Sequence, residues 1–234
     1  MIKMVVSSFY NTLIDKEEAI PTSTMLEIDR IRKKGILFTI CTNRLYKEVL
    51  DYNMDFPFID YIISLNGDYI YDVKNSNSLS KSKLSKIAIK KINNIFKDYN
   101  ITYYTIDNYY NDFSQIKDED IYKIEIEITE DKEIEKIEKV NVNKSILTMN
   151  DKKYLELSSN KSGMFSGVDK IGLKEGIDLK EIVVICANDS DLSLVQNCKE
   201  SYAVENGSLK ILKKAKKKTS SNNNKGVEQV LKML

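Results

Sequence analysis

Short apolar runs alternate with amphipathic stretches over roughly the first third of the chain. Three apolar or β-branched runs predict buried strands, at residues 4–6, 35–41 and 61–65. Between the first two, residues 22–34 carry apolar side chains at helical spacing, with Pro21 before them and Gly35 after them. Asn66-Gly67 is a hairpin-turn signal before a further strand at 69–71. Strands that alternate with helices in this way predict an α/β fold with a parallel sheet.

The pattern changes in the middle of the chain, from about residue 76. Residues 75–83 are polar and rich in Ser and Lys, which predicts a linker. A helix, two strands, a second helix and two more strands are then predicted, at residues 82–99, 101–106, 122–128, 130–139, 145–149 and 154–158. In the second of these strands, apolar residues alternate with Lys123, Glu125 and Glu127, which predicts a half-exposed strand. The order α-β-β-α-β-β predicts an antiparallel sheet with helices on one face.

The α/β alternation resumes from about residue 160. Strands are predicted at 181–186 and 202–204, and helices around Val168, at 191–198, at 208–214 and at 226–234. The simplest organisation is a core domain of residues 1–78 and 157–234 that carries an inserted α+β domain of residues 79–156. Residues 210–218 contain six lysines, which we interpret as the solvated face of a helix rather than as an anion-binding patch.

The charges of the chain balance, with 36 Lys and Arg against 35 Asp and Glu and a net charge of +1. This balance gives no reason to expect nucleic acid or a membrane as a partner. The chain contains no His, which excludes Ser-His-Asp and Cys-His catalysis and histidine-ligated metals. Cys41, Cys186 and Cys198 form no C-x-x-C pair, so neither disulfides nor a thiolate zinc site is expected. Because no window is long and apolar enough for a signal peptide or a transmembrane helix, we expect a cytoplasmic protein.

Five short motifs occur in the order and at the spacing of a known family. They are Val5-Val6-Ser7-Ser8-Phe9-Tyr10-Asn11-Thr12-Leu13-Ile14, Ile40-Cys41-Thr42-Asn43-Arg44, Asn66-Gly67, residues 182–195, and residues 202–207 with 222–227. In this order they resemble the haloacid dehalogenase (HAD) superfamily, and within it the Cof-type phosphatases, over essentially the whole chain. The resemblance implies an α/β fold, a Rossmann-like parallel-sheet core with a small α+β cap inserted after the second motif.

The resemblance also implies a chemistry whose residues this chain lacks. In the family, the first Asp of D-x-D is a nucleophile that forms an aspartyl-phosphate, and the second Asp is the general acid/base. A motif-III Lys holds the phosphate, and a later Asp binds Mg²⁺ together with the nucleophile, because this hard cation takes oxygen ligands. This chain has Ser8 and Tyr10 at the D-x-D positions. Ala187 stands at the metal-binding position, and only Asp191 of that motif remains. We therefore expect no intact catalytic residue and no metal cofactor.

Three residues are candidates for the position of the motif-III lysine. An ungapped alignment of residues 156–178 places Met164 there, and we favour this register. A gapped alternative restores Lys170, but it shortens the following helix by about six residues, more than a turn and a half. Lys161 could reach the pocket from one turn earlier. The candidate phosphate-binding residues are therefore Thr42, Asn43 and Arg44 of the second motif, with Lys161 and Lys170.

Other side chains near the expected crevice have simpler interpretations. Asp189 and Asp191 could hold a metal ion, but turn-forming or helix-capping roles are favoured. Ser8 has no His to activate it as a nucleophile. Cys41 and Cys186 could form a redox pair, although two small buried hydrophobes are the preferred interpretation. Four tyrosines of the cap are candidates for a surface that faces the crevice: Tyr103, Tyr104, Tyr109 and Tyr110.

The sequence therefore predicts a Cof-like protein that has lost phosphatase activity and acts as a non-catalytic binding or regulatory module. Its partner would be a small phosphorylated molecule or another protein. The alternative is a divergent Mg²⁺-dependent phosphatase for a small phosphorylated metabolite such as a sugar phosphate. That enzyme would retain Thr42, Arg44 and one of Lys161 or Lys170.

Overall fold

The computed structural model describes residues 1–54, 57–149 and 151–234. The strands are β1 (Met4–Ser8), β2 (Leu37–Cys41), β3 (Tyr61–Ser64), β4 (Tyr69–Asp72), β5 (Asn77–Lys81), β6 (Ile101–Tyr104), β7 (Tyr109–Tyr110), β8 (Lys123–Ile128), β9 (Val142–Met149), β10 (Lys152–Ser159), β11 (Ile182–Cys186), β12 (Glu200–Val204) and β13 (Lys217–Thr219). The α-helices are α1 (Thr22–Lys33), α2 (Tyr46–Asp51), α3 (Lys86–Ile95), α4 (Met164–Glu175), α5 (Leu192–Asn197), α6 (Leu209–Lys214) and α7 (Gly226–Lys232). Each helix in these ranges is too short or too polar to traverse a lipid bilayer.

The larger of two sheets has the strand order β13-β12-β11-β1-β2-β3-β4-β5. Its strands pair in parallel from β13 to β3, and β4 and β5 are added antiparallel. The apolar run of β1 is buried on both faces, because Val5 belongs to the core under α1 and α7, whereas Met4 and Val6 belong to the core under α4 and α5. Helices on both faces of a mostly parallel sheet confirm the predicted α/β fold.

The smaller sheet is antiparallel and has the order β7-β6-β8-β10-β9. Ile124 and Ile126 of β8 point into an apolar core that also contains Ile92 of α3. The opposite face of β8 does not meet solvent as predicted. Lys123 is completely buried there and donates a hydrogen bond to the carbonyl oxygen of Asn43, in the loop after β2. The prediction of a half-exposed strand was wrong at this end of β8, because its polar face packs against the larger unit.

Three other elements differ from the sequence prediction. Residues 75–83, predicted as a linker, contain the edge strand β5, where polar side chains are tolerated beside solvent. The helix predicted at 130–139 is a 3₁₀ segment of residues 131–137 that buries only two side chains. Helix α6 ends at Lys214, and the edge strand β13 follows it, so the lysines of 210–218 do not share one helix.

Two segments of the chain connect the larger sheet to the smaller one, after β5 and after β10. Asp68 forms hydrogen bonds with both of them. The backbone N–H of Ser82 donates to the carbonyl oxygen of Asp68 at 2.8 Å. The carboxylate accepts the backbone N–H of Ser159 at 3.0 Å and the hydroxyl of Ser162. Burial raises the pKa of Asp68 to about 7, against the opposing effect of these hydrogen bonds.

Candidate functional site

The carboxyl ends of β1, β2 and β11 meet at one edge of the larger sheet, which is where open α/β sheets bind ligands. Side chains of the smaller sheet contact this edge and leave a crevice with a cavity of about 420 Å³. The cavity is lined by Asn43, Arg44, Leu45, Glu48, Tyr104, Tyr109, Glu125, Leu147 and Met149. This volume and the convergence of several polar groups are typical of small-molecule sites.

The end of β1 carries a buried hydroxyl instead of a carboxylate. Ser8 is 2% exposed, and its Oγ has no hydrogen-bond partner among the described residues. Ala187 follows β11 and is also buried. Asp191 accepts the backbone N–H groups of Ala187 at 3.2 Å and of Asn188 at 2.9 Å, so it closes the turn after β11. Burial raises the pKa of Asp191, against the nearby Ser8 hydroxyl and then the two backbone N–H groups, which lower it.

Tyr10 lies in the first turn after β1, half-buried against the chain's own side chains. Its hydroxyl donates to Glu48 at 3.2 Å. The guanidinium carbon of Arg44 lies 4.6 Å from the centre of its ring. Burial, and then the neighbouring Glu48 carboxylate, raise the pKa of Tyr10 well above its ordinary value. The hydroxyl is therefore neutral at physiological pH, so it cannot act as a general base, and its raised pKa makes it a weaker proton donor than a carboxyl group.

Asparagine amides link the first turn to the loops after β11 and β12. Asn188 Nδ2 donates to the carbonyl oxygen of Tyr10 at 3.1 Å. Asn11 Nδ2 donates to Asn188 Oδ1 at 3.2 Å, and Asn206 Nδ2 donates to the carbonyl oxygen of Asn11 at 2.8 Å. Neutral amide donors thus link the segments that follow β1, β11 and β12.

The residues at this edge do not fit a Mg²⁺ ion, which prefers carboxylate and other oxygen ligands. Ser8 and Ala187 supply no carboxylate, and both Asp191 and Asp189 are engaged by the chain. Asp189 pairs with Lys210 at 2.8 Å and accepts the hydroxyl of Ser208. Among the residues that the structure describes, no three acidic or thiol side chains are arranged to hold a metal ion.

The residues of the second motif lie beside the cavity and already have partners. Thr42 is buried, and its hydroxyl oxygen accepts the backbone N–H of Arg44 at 3.1 Å. Asn43 Nδ2 donates to Glu156 at 3.0 Å. Arg44 Nη1 lies 3.5 Å from Glu48. Of these three side chains of the second motif, Asn43 and Arg44 therefore each contact a carboxylate of the chain itself.

A buried ionic cluster joins the smaller sheet to this loop. Lys123 Nζ lies 2.5 Å from Glu125 and 3.3 Å from Glu156, and it donates to the carbonyl oxygen of Asn43 at 2.6 Å. It also lies 4.1 Å from the centre of the Tyr104 ring. Burial alone would raise the pKa of Glu125, but Lys123 and the Tyr104 hydroxyl lower it below its ordinary value. Glu125 is therefore ionised at the wall of the cavity.

A family model of haloacid dehalogenase-like hydrolases matches residues 7–112 and 102–231 of the chain. The chain belongs to this family. Among curated proteins, none matches the sequence significantly.

Solved structures of HAD proteins superpose on the whole chain. A haloacid dehalogenase-like hydrolase from B. subtilis has a TM-score of 0.90 at 16% identity, with 100% of both chains covered. A phosphatase of the superfamily from Bacteroides thetaiotaomicron has a TM-score of 0.87 at 16% identity, covering 100% of this chain and 95% of its own. A subclass IIB sugar phosphatase has a TM-score of 0.84 at 18% identity, covering 99% of this chain and 98% of its own. At these identities the likeness shows the fold, and it agrees with the resemblance to HAD proteins of the Cof type.

The structure does not bring the candidate lysines of this HAD chain to the crevice. Lys170 donates from α4 to the Ser80 hydroxyl at 2.9 Å. Lys161 lines a separate groove beside α3, together with Leu84. Met164, at the motif-III position of the favoured register, begins α4 and is buried in the apolar core.

The tyrosines divide between the crevice and the rest of the smaller unit. Tyr104 and Tyr109 line the cavity. Tyr103 is buried in the core of the smaller unit, and Tyr110 donates to Glu119 at its surface. The cysteines are free and buried, and burial raises the pKa of Cys41 and of Cys186 well above the ordinary value, so both are neutral thiols.

Sequence reasoning missed the acidic residues at and behind the wall of this HAD crevice, which are Glu48, Glu125 and Glu156. One signal was available for two of them. Glu125 and Glu156 are directly opposite each other in the pairing of β8 with β10. Like charges in that position repel, so a cation is required between them, and Lys123 lies two residues from Glu125 on the same face.

Proposed function

We propose that this HAD-family chain has no phosphatase activity and binds a small molecule in the crevice between its two sheets. The observation that carries the proposal is the absence of a carboxylate where β1 and β11 end, at Ser8 and Ala187, with the remaining Asp191 held in a turn. The cavity of about 420 Å³ beside this edge supports retained binding.

The energetics of phosphate ester hydrolysis favour this proposal. The uncatalysed reaction is so slow that enzymes accelerate it by up to ~10²¹-fold. In a well-studied protease, loss of the nucleophile alone lowers kcat by about 10⁶-fold. This chain lacks the nucleophile, the acid/base and the metal-binding carboxylate that the family uses, and Tyr10 is a neutral phenol. Positioning by the remaining groups cannot replace these contributions.

The alternative, a divergent Mg²⁺-dependent phosphatase, has less support. It needs a rebuilt metal site and a lysine near the phosphate. Asp189 pairs with Lys210, and neither Lys161 nor Lys170 lines the crevice. A solved relative described as a sugar phosphatase makes sugar phosphates the first substrates to test.

Hydrolysis assays of the purified chain test the proposal. The substrates are p-nitrophenyl phosphate and a set of sugar phosphates, each with Mg²⁺ and with a chelator, and the sugar phosphatase relative is the positive control. We expect no hydrolysis above the buffer rate. Mg²⁺-dependent hydrolysis that the chelator abolishes, and that persists through a second purification, would contradict the proposal.

A further inference from the structure

We propose that the crevice selects small molecules that carry a positively charged amino group and rejects phosphate esters. This inference deepens the proposed binding function and rests on it. It follows from the charges that line the cavity and from the partners that the candidate anion-binding groups already have.

Carboxylates of the chain itself occupy the groups that would otherwise receive an anion. Glu156 accepts the side-chain amide of Asn43 at 3.0 Å. Glu48 accepts the hydroxyl of Tyr10 at 3.2 Å and lies 3.5 Å from Arg44. A phosphate ester would have to displace these carboxylates, and Glu156 is only 2% exposed. Moving a buried carboxylate away from its partners is costly.

The charges around the cavity also repel a phosphate. The cavity wall carries Arg44 against Glu48 and Glu125. Behind the wall, Lys123 is shared between Glu125 and Glu156. Two cations against three carboxylates leave a net charge of −1 in the crevice. A dianionic phosphate therefore meets a potential of its own sign, whereas an ammonium group meets an attractive one.

The geometry of the wall suits an ammonium group on a carbon skeleton. Glu48 is the carboxylate that can receive an ammonium group, because its hydrogen bond from Tyr10 uses only Oε2 and its side chain is 35% exposed. Glu125 adds negative charge at the wall, although its two oxygens already accept hydrogen bonds from Lys123 and from the Tyr104 hydroxyl. An ammonium group has three N–H donors and no acceptor, so it suits such a carboxylate.

Tyr109 lines the cavity and is 60% exposed, so its ring can contact a cation, whereas the Tyr104 ring already contacts Lys123 at 4.1 Å. Leu147 and Met149 supply apolar surface for the rest of the ligand.

Three sugars of the same ring and different charge test the proposal directly: glucosamine, glucose and glucose 6-phosphate. Calorimetric titrations at about pH 6.5 and low ionic strength keep the amine protonated. We expect glucosamine to bind at least about 10-fold more tightly than glucose, which corresponds to 1.4 kcal/mol. Glucose 6-phosphate should bind more weakly than glucose. Tighter binding of glucose 6-phosphate, or no binding of glucosamine at about 10 mM, would overturn the proposal.

A charge-removing variant tests the role of the crevice. Glu48→Gln keeps the shape of a side chain that is 35% exposed, so the fold should be retained. We expect it to weaken glucosamine binding about 10-fold. It should also reduce the difference in affinity between glucose and glucose 6-phosphate. Glu138→Gln, at an exposed position of the smaller unit, is the matched control and should change neither. Equal losses in both variants would place the amine elsewhere on the surface and overturn the proposal.

The two proposals fail in different ways. Mg²⁺-dependent hydrolysis would refute the proposed function, whatever the three sugars do. An inactive chain that prefers glucose 6-phosphate would leave the proposed function intact and refute only the choice of an amine.

Discussion

Lys123 has no solvent contact, and its ammonium group lies between two carboxylates and a carbonyl oxygen. Glu125 and Glu156, on paired strands, would repel each other without it. The cluster also links the smaller sheet to Asn43 of the larger unit. A buried ion pair adds little net stability compared with apolar residues, but removal of one partner leaves an uncompensated buried charge.

Lys123→Met should therefore be among the most destabilising single substitutions in the smaller unit. We expect it to lower the free energy of unfolding by about 3–5 kcal/mol, measured by urea titration. Lys132→Met is the control, because the Lys132 side chain is 71% exposed and pairs with Glu130 at the surface. That control should change stability by no more than about 0.5 kcal/mol. Equal stabilities for the two variants would mean that the buried cluster does not need its cation.

Asp68 should make stability depend on pH. Its pKa is about 7 in the folded chain and 3.8 as the ordinary value, so the folded state binds the proton more tightly. The stability that this proton confers is complete below about pH 4 and is lost as the pH rises through 7. Relative to Asp68→Asn, the free energy of unfolding of the unchanged chain should fall by roughly 4 kcal/mol between pH 4 and pH 8. Parallel pH profiles of the two proteins, from urea unfolding, would show that Asp68 titrates normally.

At the scale of elements, the central strands were predictable because burial on both faces leaves continuous apolar runs, as in β1 and β11. The edge strands β5 and β13 were not, since Asn77–Lys81 and Lys217–Thr219 are polar and their pairing depends on a neighbouring strand. From the sequence, only those residues of the candidate site that belong to a motif could be predicted. Thr42, Asn43 and Arg44 are of this kind. Tertiary packing brings Glu48 to the same cavity wall as Glu125, and the pairing of Glu125 with Glu156 is visible only once the register of β8 and β10 is known.

The turn between β3 and β4 packs closely against the connecting segment after β10. This close packing requires a glycine at position 67. Gly67 has a φ of +94°, and a Cβ atom there would lie 2.3 Å from the carbonyl carbon of Gly163. Both the left-handed backbone and this approach exclude a side chain.

Gly67→Ala should lower the unfolding free energy by more than about 3 kcal/mol, or prevent folding, because backbone atoms must move. Gly176→Ala is the matched control, because Gly176 has a φ of +67° at the end of α4 and an added Cβ would meet no atom within 4 Å. It should cost only about 1 kcal/mol, the cost of the backbone conformation alone. Thermal unfolding of both variants measures the difference, and similar losses would show that the contact with Gly163 is relieved without cost.

At the scale of the whole molecule, the chain has the two-sheet architecture of the family, and the edge between the sheets is held by amides and paired carboxylates. Amides of Asn11, Asn188 and Asn206 link the loops, and the carboxylates that remain pair with the chain's own lysines, arginine or backbone. Fewer carboxylates in one pocket repel each other less, so we expect these loops to hold together without a metal ion. The proposed loss of metal binding therefore predicts a fold whose stability does not depend on Mg²⁺.

Thermal unfolding with and without Mg²⁺ tests this central claim most directly, with NaCl at equal ionic strength as the reference. A ligand present at about 100 times its Kd stabilises the folded state by about 2.7 kcal/mol, which raises Tm by several degrees. The double variant Ser8→Asp/Ala187→Asp restores two carboxylates at the ends of β1 and β11, and it should melt below the unchanged chain and regain stability with Mg²⁺. We predict that the unchanged chain has the same Tm in about 10 mM Mg²⁺ as in NaCl of equal ionic strength. A Mg²⁺-specific rise of several degrees in the unchanged chain would contradict the account.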